Sequence, residues 1–185
     1  MKVMTAHIND RVIEPLNPML YILQKLIEKM QSRADQDLVH GLYFECKLIL
    51  FNAFNLIYLQ LIQSKSFVPV LNTHSISSTV QEIIDLFSWK ERSRDIWIDV
   101  EDKTPADWML SFDQRSLRVV LFNVITNAMK FQETGRILLI IEAELGIRPG
   151  HIMLEITVVD QGLGIDASEV DHVFDLFWKS RSIAH

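Results

Sequence analysis

The spacing of apolar residues changes once along the chain, near residue 67, and this change limits the folds that the chain can form. Residues 4–31 and 36–64 both carry apolar side chains at intervals of three and four, which is typical of amphipathic helices. Residues 32–36 form a polar break between them, with Asp35 as a possible helix cap. We therefore predict an antiparallel pair of long helices, a helical hairpin, in the first third of the chain.

The predicted hairpin has two prolines in its first helix and a very apolar second helix. Pro15 and Pro18 each remove a backbone donor and should bend the first helix. Residues 48–62 are the most apolar stretch, but they include polar residues such as Asn55 and fall short of the roughly 20 that a membrane span needs. We predict no membrane span. A single hairpin cannot bury so wide an apolar face, so we expect a dimer that forms a four-helix bundle.

The remainder of the chain combines β-rich segments with amphipathic helices. The predicted strands are residues 67–71, 96–100, 108–110, 136–145 and 151–159, with a turn at 146–150. The predicted helices are residues 77–91, 114–131 and 167–177, the first capped by Ser77 or Ser78 and the second by Asp113. This order indicates an α+β sandwich, in which helices cover one face of an antiparallel or mixed sheet.

Composition and charge exclude several classes of protein. The net charge of -6, with no long basic run, argues against a nucleic-acid partner. Cys46 is the only cysteine, so neither an internal disulfide nor a cysteine-based zinc cluster can form. A single free thiol and the lack of an apolar leader fit a cytoplasmic protein.

The helix predicted at residues 114–131 carries polar groups on one face near its end. Asn123 and Asn127 lie one turn apart, and Lys130 and Phe131 follow. Amide oxygens suit Mg²⁺ that keeps waters and phosphate oxygens as its other ligands, and a lysine can meet a phosphate. An ordinary amphipathic helix with a polar edge would account for the same pattern.

The strand predicted at residues 151–159 ends in a glycine-containing turn. Asp160 follows the strand directly, and Gly162 and Gly164 allow close backbone approach ahead of Ile165. A carboxylate at this position can accept a hydrogen bond from the exocyclic amine of adenine. A plain aspartate-glycine turn is the alternative interpretation.

Taken together, the pattern N-x-x-x-N-A-x-K-F on a helix, an antiparallel pair, and then D-x-G-x-G-I resembles the GHKL ATPase superfamily. It is most similar to the catalytic domain of sensor histidine kinases. The segment from Phe174 to Phe177 is similar to that family's F box, and the first hairpin is similar to its dimerisation and phosphoacceptor domain. The resemblance implies a hairpin domain at residues 1–66 and an ATP-binding domain at 67–185.

The resemblance also implies roles for the residues of both motifs, with Mg-ATP or Mg-ADP as the bound cofactor. The residues matching the nucleotide site are Asn123, Asn127, Lys130, Phe131, Asp160, Gly162, Gly164 and Ile165. In the family, the asparagines bind Mg²⁺ and phosphates and the lysine contacts phosphate. The aromatic residue lines the adenine site, the aspartate accepts a hydrogen bond from the adenine amine, and the glycines shape the pocket.

The hairpin departs from the family pattern at the phosphoacceptor. Alignment through Ala6 and Pro15 puts Asp10 where the family has its histidine, and Arg11 where it has the acidic general base. A carboxylate beside an arginine is a different nucleophile from a neutral imidazole. His7 lies one turn away and is a weaker alternative acceptor. We therefore expect no autokinase activity.

The second departure concerns the phosphate side of the pocket. Gly164 is the last glycine in the sequence, and the family's mobile lid and second glycine-rich segment have no counterpart before His185. We expect a sandwich without its last elements and a pocket that is open on this side.

These patterns favour a histidine-kinase-like signalling protein that has lost its kinase activity. It would act as a homodimeric scaffold, with a response regulator or an intact histidine kinase as its partner. One alternative is a fragment of an active phosphorelay sensor kinase. The other is a dimeric interaction module whose nucleotide pocket is vestigial.

Overall fold

The computed structural model of this chain describes residues 2–105 and 108–173. A helical hairpin is followed by strands and helices that form a layered α+β domain, as predicted. The helices are α1 (Lys2–Ile8), α2 (Glu14–Lys29), α3 (Arg33–Gln63), α4 (Ile76–Arg94) and α5 (Gln114–Phe131). The strands are β1 (Asn72–Ser75), β2 (Ile96–Asp102), β3 (Met109–Phe112), β4 (Gly135–Leu145) and β5 (Ile152–Val159).

The first arm of the hairpin is not the single α-helix that we predicted. A π-helical stretch, Asn9–Ile13, separates α1 from α2. Its position agrees with the chemistry of Pro15, whose ring lacks an N–H and crowds the carbonyl of Arg11 in a regular α-helix. Pro18 lies inside α2 without ending it. The wider turn therefore falls at the predicted phosphoacceptor position.

The second arm, α3, begins at Arg33, three residues before the predicted start, and its cap is Ser32 rather than Asp35. Ser32 caps it, since its side chain accepts a hydrogen bond from the backbone N–H of Asp35. Among the described residues α3 is the one helix that is long and apolar enough to cross a membrane, a test that core helices of soluble proteins also pass. Only 22% of its most apolar 18-residue window is buried within this chain. The absence of a membrane span therefore stays a prediction.

The main sheet is mixed and has the order β2-β4-β5. β2 runs parallel to β4, and β4 and β5 form the predicted antiparallel hairpin. Alternate residues of β4 (Ile137, Leu139 and Ile141) are fully buried against the helices. β1 and β3 form a separate antiparallel pair.

The largest hydrophobic core joins the hairpin to the sandwich. Phe51 of α3 stacks on Phe122 of α5 with ring centroids 4.1 Å apart. Phe44 of α3 and Phe87 of α4 meet edge to face at 5.4 Å, and both rings also lie next to Phe122. The sequence predicts that a second hairpin covers this face of α3. Part of it is instead covered by α4 and α5 of the same chain, and the domain boundary at residue 66 stays a prediction.

The strand predicted at residues 67–71 is wrong. Within the described residues this segment has no sheet partner, and β1 begins only at Asn72. Pro69 lacks an N–H, and the N–H of Val70 donates to Asp113 Oδ2 at 2.9 Å instead of to a neighbouring strand. Val68, Val70 and Leu71 therefore lie on the surface, with Val68 76% exposed, while the ring of Phe67 packs against Tyr58.

Other boundaries also differ from those predicted. Ser75, rather than Ser77 or Ser78, caps α4, because its side chain accepts from the N–H of Ser78. The strand predicted at 108–110 is β3, Met109–Phe112. The helix predicted at 167–177 is, within the described residues, a 3₁₀ turn at Val170–His172. The predicted F box, Phe174 to Phe177, lies outside the described residues.

Candidate functional site

The end of α5 and the turn after β5 are joined directly, and this junction forms the candidate nucleotide site. The carbonyl of Phe131 accepts a hydrogen bond from the N–H of Leu163 at 3.3 Å. The side-chain oxygen of Gln132 accepts from the N–H of Gln161 at 2.7 Å. The two sequence motifs, which are about thirty residues apart, therefore come together in space.

The start and the end of α5 determine where this junction forms. Asp113 caps the helix at the predicted residue, since its Oδ1 accepts from the N–H of Ser116 at 2.9 Å. Burial alone would raise the pKa of Asp113, but hydrogen bonds from the N–H groups of Ser116 and Val70 outweigh it and lower that pKa. α5 runs without interruption to Phe131, so its last turn reaches the end of β5.

Gly162 packs closely against the end of α5. A Cβ on Gly162 would lie 2.7 Å from the carbonyl oxygen of Phe131 and 2.9 Å from Asp160 Oδ1. The N–H of Gly162 donates to that same carboxylate oxygen at 2.9 Å. Glycine is therefore required here for close packing, and one oxygen of Asp160 helps to hold the turn while its side chain stays exposed.

The exposed side chains of the last two turns of α5 border this junction. Asn127 and Lys130 are exposed, and Phe131 is half buried. Lys130 Nζ lies 4.8 Å from the centroid of the Phe131 ring. An amide, an ammonium group and a carboxylate next to a glycine turn are chemically suited to a magnesium nucleotide, so these residues fit the predicted ligand.

Asn123 is the predicted site residue that the structure places in another contact. Its side-chain amide exchanges two hydrogen bonds with the amide of Asn55 on α3, at 2.9 and 2.8 Å. Both functional ends of the Asn123 side chain thus have partners in the hairpin. In this arrangement Asn123 does not fit the role of a metal ligand.

The remaining predicted residues occupy exposed positions. Gly164 has a φ of +70° with open space where a Cβ would lie, and Ile165 is 56% exposed. In the hairpin, His7 and Asp10 are both exposed, and Asp10 lies in the π-helical stretch. Among the residues that the structure describes, no group of three or more acidic, histidine or cysteine side chains could hold a metal ion by itself.

Two functional contacts were not anticipated from the sequence. Gln132 is buried and links α5 to the turn, but a glutamine after a helix gives no signal of such a contact. Asn55 did carry a signal, since it is an amide side chain within the most apolar stretch of the chain. A partly buried amide there needs a partner, and that partner is Asn123.

Comparison with known proteins agrees with this geometry. Residues 112–184 match the family model described as histidine kinase-, DNA gyrase B-, and HSP90-like ATPase. The chain is 34% identical over 93 residues to the autoinducer 2 sensor kinase/phosphatase LuxQ of Vibrio vulnificus, which covers half of this chain. The chain is homologous to sensor histidine kinases. The resemblance to sensor histidine kinases that the two motifs predict is confirmed.

The similarity to sensor histidine kinases extends over most of the chain. Hybrid signal transduction histidine kinase A of Dictyostelium discoideum is 26% identical over 178 residues, which is 93% of this chain. A crystal structure of full-length ShkA in complex with AMPPNP superimposes with a TM-score of 0.56 at 21% identity, over 90% of this chain and 35% of that one. This likeness confirms the fold of a helical segment followed by a GHKL-type domain.

The curated relatives are much longer than this chain. It spans 11% of the Vibrio vulnificus protein and 8% of the Dictyostelium protein. Homology therefore identifies a histidine-kinase-like ATPase domain of the type found in two-component sensor kinases.

Proposed function

We propose that this chain is a dimeric two-component signalling module that binds a magnesium adenine nucleotide but does not phosphorylate itself. The observation that carries the proposal is the junction of Phe131 and Gln132 with the turn at 161–163, which brings the two predicted nucleotide motifs together. The hairpin presents the carboxylate of Asp10, and not an imidazole, at the position that aligns with the family's phosphoacceptor.

The residues of the site have distinct proposed roles. Asn127 supplies an amide oxygen to Mg²⁺, and Lys130 meets a phosphate as a point charge. The Asp160 oxygen that does not hold Gly162 accepts from the adenine amine. When bound, Mg-ATP supplies a transferable phosphoryl group. Asp10 is a different acceptor from the family's neutral imidazole, because it is an anionic carboxylate and has Arg11 where the family has an acidic general base.

The proposed partners follow from the exposed surface of the hairpin. Apolar side chains on α2 and α3 remain uncovered in the single chain, including Tyr21 at 63%, Ile22 at 57% and Leu38 at 68% exposed. Pairing with the hairpin of a second copy would bury them. A response regulator or an intact histidine kinase is the proposed signalling partner, in the cytoplasm.

Two measurements test the proposal. Titration of the chain with Mg-ADP should show binding that weakens in Asn127→Ala, while Asn52→Ala, an exposed asparagine on α3, should bind as the wild type does. Incubation with radiolabelled ATP should give no acid-labile, alkali-stable phosphate on the protein. Such a phosphate would overturn the absence of autokinase activity. A lack of Mg-ADP binding in every variant would favour a vestigial pocket.

The homology to sensor kinases favours a second candidate, in which this chain is part of an active phosphorelay kinase. Its ATPase domain would then pass phosphate to a histidine on another protein. Adding a purified hairpin domain that carries an acceptor histidine tests this candidate. Transfer of label to that domain would support it.

A further inference from the structure

One face of the main sheet lies outside the hydrophobic cores of the described residues. Because side chains alternate along a strand, Leu138 and Ile140 of β4 point away from the face that packs on α4 and α5. Neither residue belongs to a core cluster. The register sets Val159 of β5 beside Leu138, with Trp97 of β2 diagonally across from it. We call the surface formed by the outward residues of β2, β4 and β5 the outer face.

The outer face has an apolar patch where β4 begins and β5 ends. Trp97 is 47% exposed and Val159 is 46% exposed, while Leu138 and Ile140 are partly buried. The two cavities between the hairpin and the sandwich, of about 800 and 550 Å³, are lined by other residues. Small molecules bind in concave pockets, whereas an exposed tryptophan on an open sheet is typical of a protein interface.

Carboxylates outnumber cations on the outer face. The register places five of them there, namely Asp99, Glu101, Glu142, Glu144 and Glu155. Arg136 bridges the first two at 3.2 and 3.5 Å, and Lys103 pairs with the third at 2.7 Å. Within the described part of the chain, the last two have no ion-pair partner. The outer face therefore carries a net negative charge.

The unpaired carboxylates lie together at the far end of β4 and the start of β5. Glu142 and Glu155 are directly opposite each other in the register, and like charges at such positions repel. Glu144 is exposed two residues further along the same side of β4. A cation placed over these side chains would relieve the repulsion.

We propose that the outer face binds a segment of a partner protein that carries an apolar side chain and, further along, lysine or arginine. The apolar side chain packs on Trp97, Leu138 and Val159, and the cations meet Glu144 and Glu155. Glu142 and Glu144 follow Leu138 by four and six residues, so the two kinds of group should be roughly 13–20 Å apart in the partner.

The charge of the outer face distinguishes this partner from other macromolecules. Nucleic acids and anionic lipid surfaces bind through lysine and arginine, and the carboxylates would repel both. The face is also separate from the exposed apolar side chains of α2 and α3, which we assign to the dimer. A basic polypeptide segment is therefore the occupant that its chemistry fits.

Calorimetric titration of the whole chain with two synthetic helical peptides tests the proposal. Each peptide has about 14 residues and is about 21 Å long, which matches the required spacing. The first peptide has leucines in one half and lysines in the other, and the second has glutamates in place of the lysines. The lysine peptide should bind, and raised salt should weaken its binding. The glutamate peptide should not bind.

Matched variants localise the binding of the lysine peptide. Trp97→Ser should weaken it by about tenfold, whereas Met109→Ser, which changes a 58% exposed residue of β3, should leave it unchanged. Glu155→Lys should weaken it by about fivefold, and Glu45→Lys, at an exposed position of α3, should not. Glu155→Lys should also stay folded if Trp97→Ser does not, because its new ammonium group faces Glu142.

Three results would overturn the proposal. One is the absence of lysine-peptide binding to the wild type. Another is an equal loss of affinity in Glu155→Lys and Glu45→Lys, which would mean that the peptide responds only to the overall charge. The third is a change in the sedimentation of folded Trp97→Ser without peptide, since this would assign the outer face to a second copy of the chain.

Discussion

Asn55 of α3 and Asn123 of α5 exchange both hydrogen bonds of their side-chain amides, at 2.9 and 2.8 Å. Their pairing ties the hairpin to the helix that carries the nucleotide motif. It also occupies the side chain that the family resemblance assigns to metal and phosphate. Both groups of the Asn123 amide are engaged in this pair, so recruitment of Asn123 by a nucleotide would compete with the hairpin contact.

Asn55→Ala should therefore increase the affinity for Mg-ADP, by about tenfold if both hydrogen bonds with Asn123 are lost. Isothermal titration of wild type, Asn55→Ala and Asn52→Ala measures the effect, and the last variant should match wild type. Unchanged affinity in Asn55→Ala, together with weakened binding in Asn127→Ala, would mean that Asn123 takes no part in nucleotide binding.

Phe122→Ala should lower the free energy of unfolding by about 3–5 kcal/mol, because it leaves a cavity in a close-packed core. The Phe122 ring contacts aromatic rings of both α3 and α4, so hairpin and sandwich should both lose stability. Urea unfolding followed by circular dichroism gives the value. Val120→Ala on the exposed side of α5 should change it by less than about 0.5 kcal/mol. A similar loss of unfolding free energy in Phe122→Ala and Val120→Ala would contradict a core shared by the hairpin and the sandwich.

Gly162→Ala should weaken both folding and nucleotide binding, because its methyl group would lie 2.7 Å from the carbonyl oxygen of Phe131. The turn would have to move away from α5. Gly150→Ala is the control, since Gly150 has a φ of +77° but no atom within 4 Å of a new Cβ. It should cost about 1–2 kcal/mol of stability and leave nucleotide binding intact. Equal nucleotide affinity in the two variants would argue against the turn as part of the site.

Acid should destabilise the chain partly through Asp113. Its pKa is below the ordinary value in the folded state, so its carboxylate stabilises the fold above about pH 4. That stabilisation is lost as the pH falls through the folded-state pKa. Asp113→Asn should therefore be less stable than wild type at neutral pH, with a smaller further loss in acid. Unfolding free energies from pH 7 downward test this, and parallel curves would contradict it.

Lys47 should also make stability rise with pH, but in the alkaline range. Burial holds its pKa below the ordinary value near 10.4, so its charge costs stability below the folded-state pKa, and the cost disappears as the pH rises toward 10.4. Wild type should gain stability relative to Lys47→Met over that range. Melting temperatures at increasing pH in chloride buffer measure it. A constant difference between the two proteins would show that the lysine charge is not costly in the folded state.

The sequence predicted the parts of this fold that depend on local patterns. Asp113 and the apolar stripe behind it located α5 at its observed bounds, and the β-rich segments located β4 and β5 within a residue. The contacts that unite the site are not local. The hydrogen bond from the N–H of Leu163 to Phe131 and the buried link through Gln132 depend on how β5 ends relative to α5, which no single-segment pattern specifies.

The segment at 67–71 shows why tertiary contacts overrode a strand propensity. Its valines favour a strand, but Asp113 captures the N–H of Val70 while it also caps α5. The covering of Phe44 and Phe51 was likewise not predicted, since the hairpin pattern shows only that a wide apolar face exists. Whether that face meets another chain or the same chain depends on the geometry of the connection.

The π-helical stretch Asn9–Ile13 has a consequence for how two hairpins can pair. Its i to i+5 hydrogen bonding accommodates one residue more in a turn than an α-helix does, so the side chains of α1 are out of phase with those of α2. A heptad-like contact that follows Leu16 and Leu20 along α2 cannot continue in the same register beyond Asn9. The directions in which the His7 and Asp10 side chains point relative to α2 therefore cannot be calculated from the spacing of an ideal α-helix.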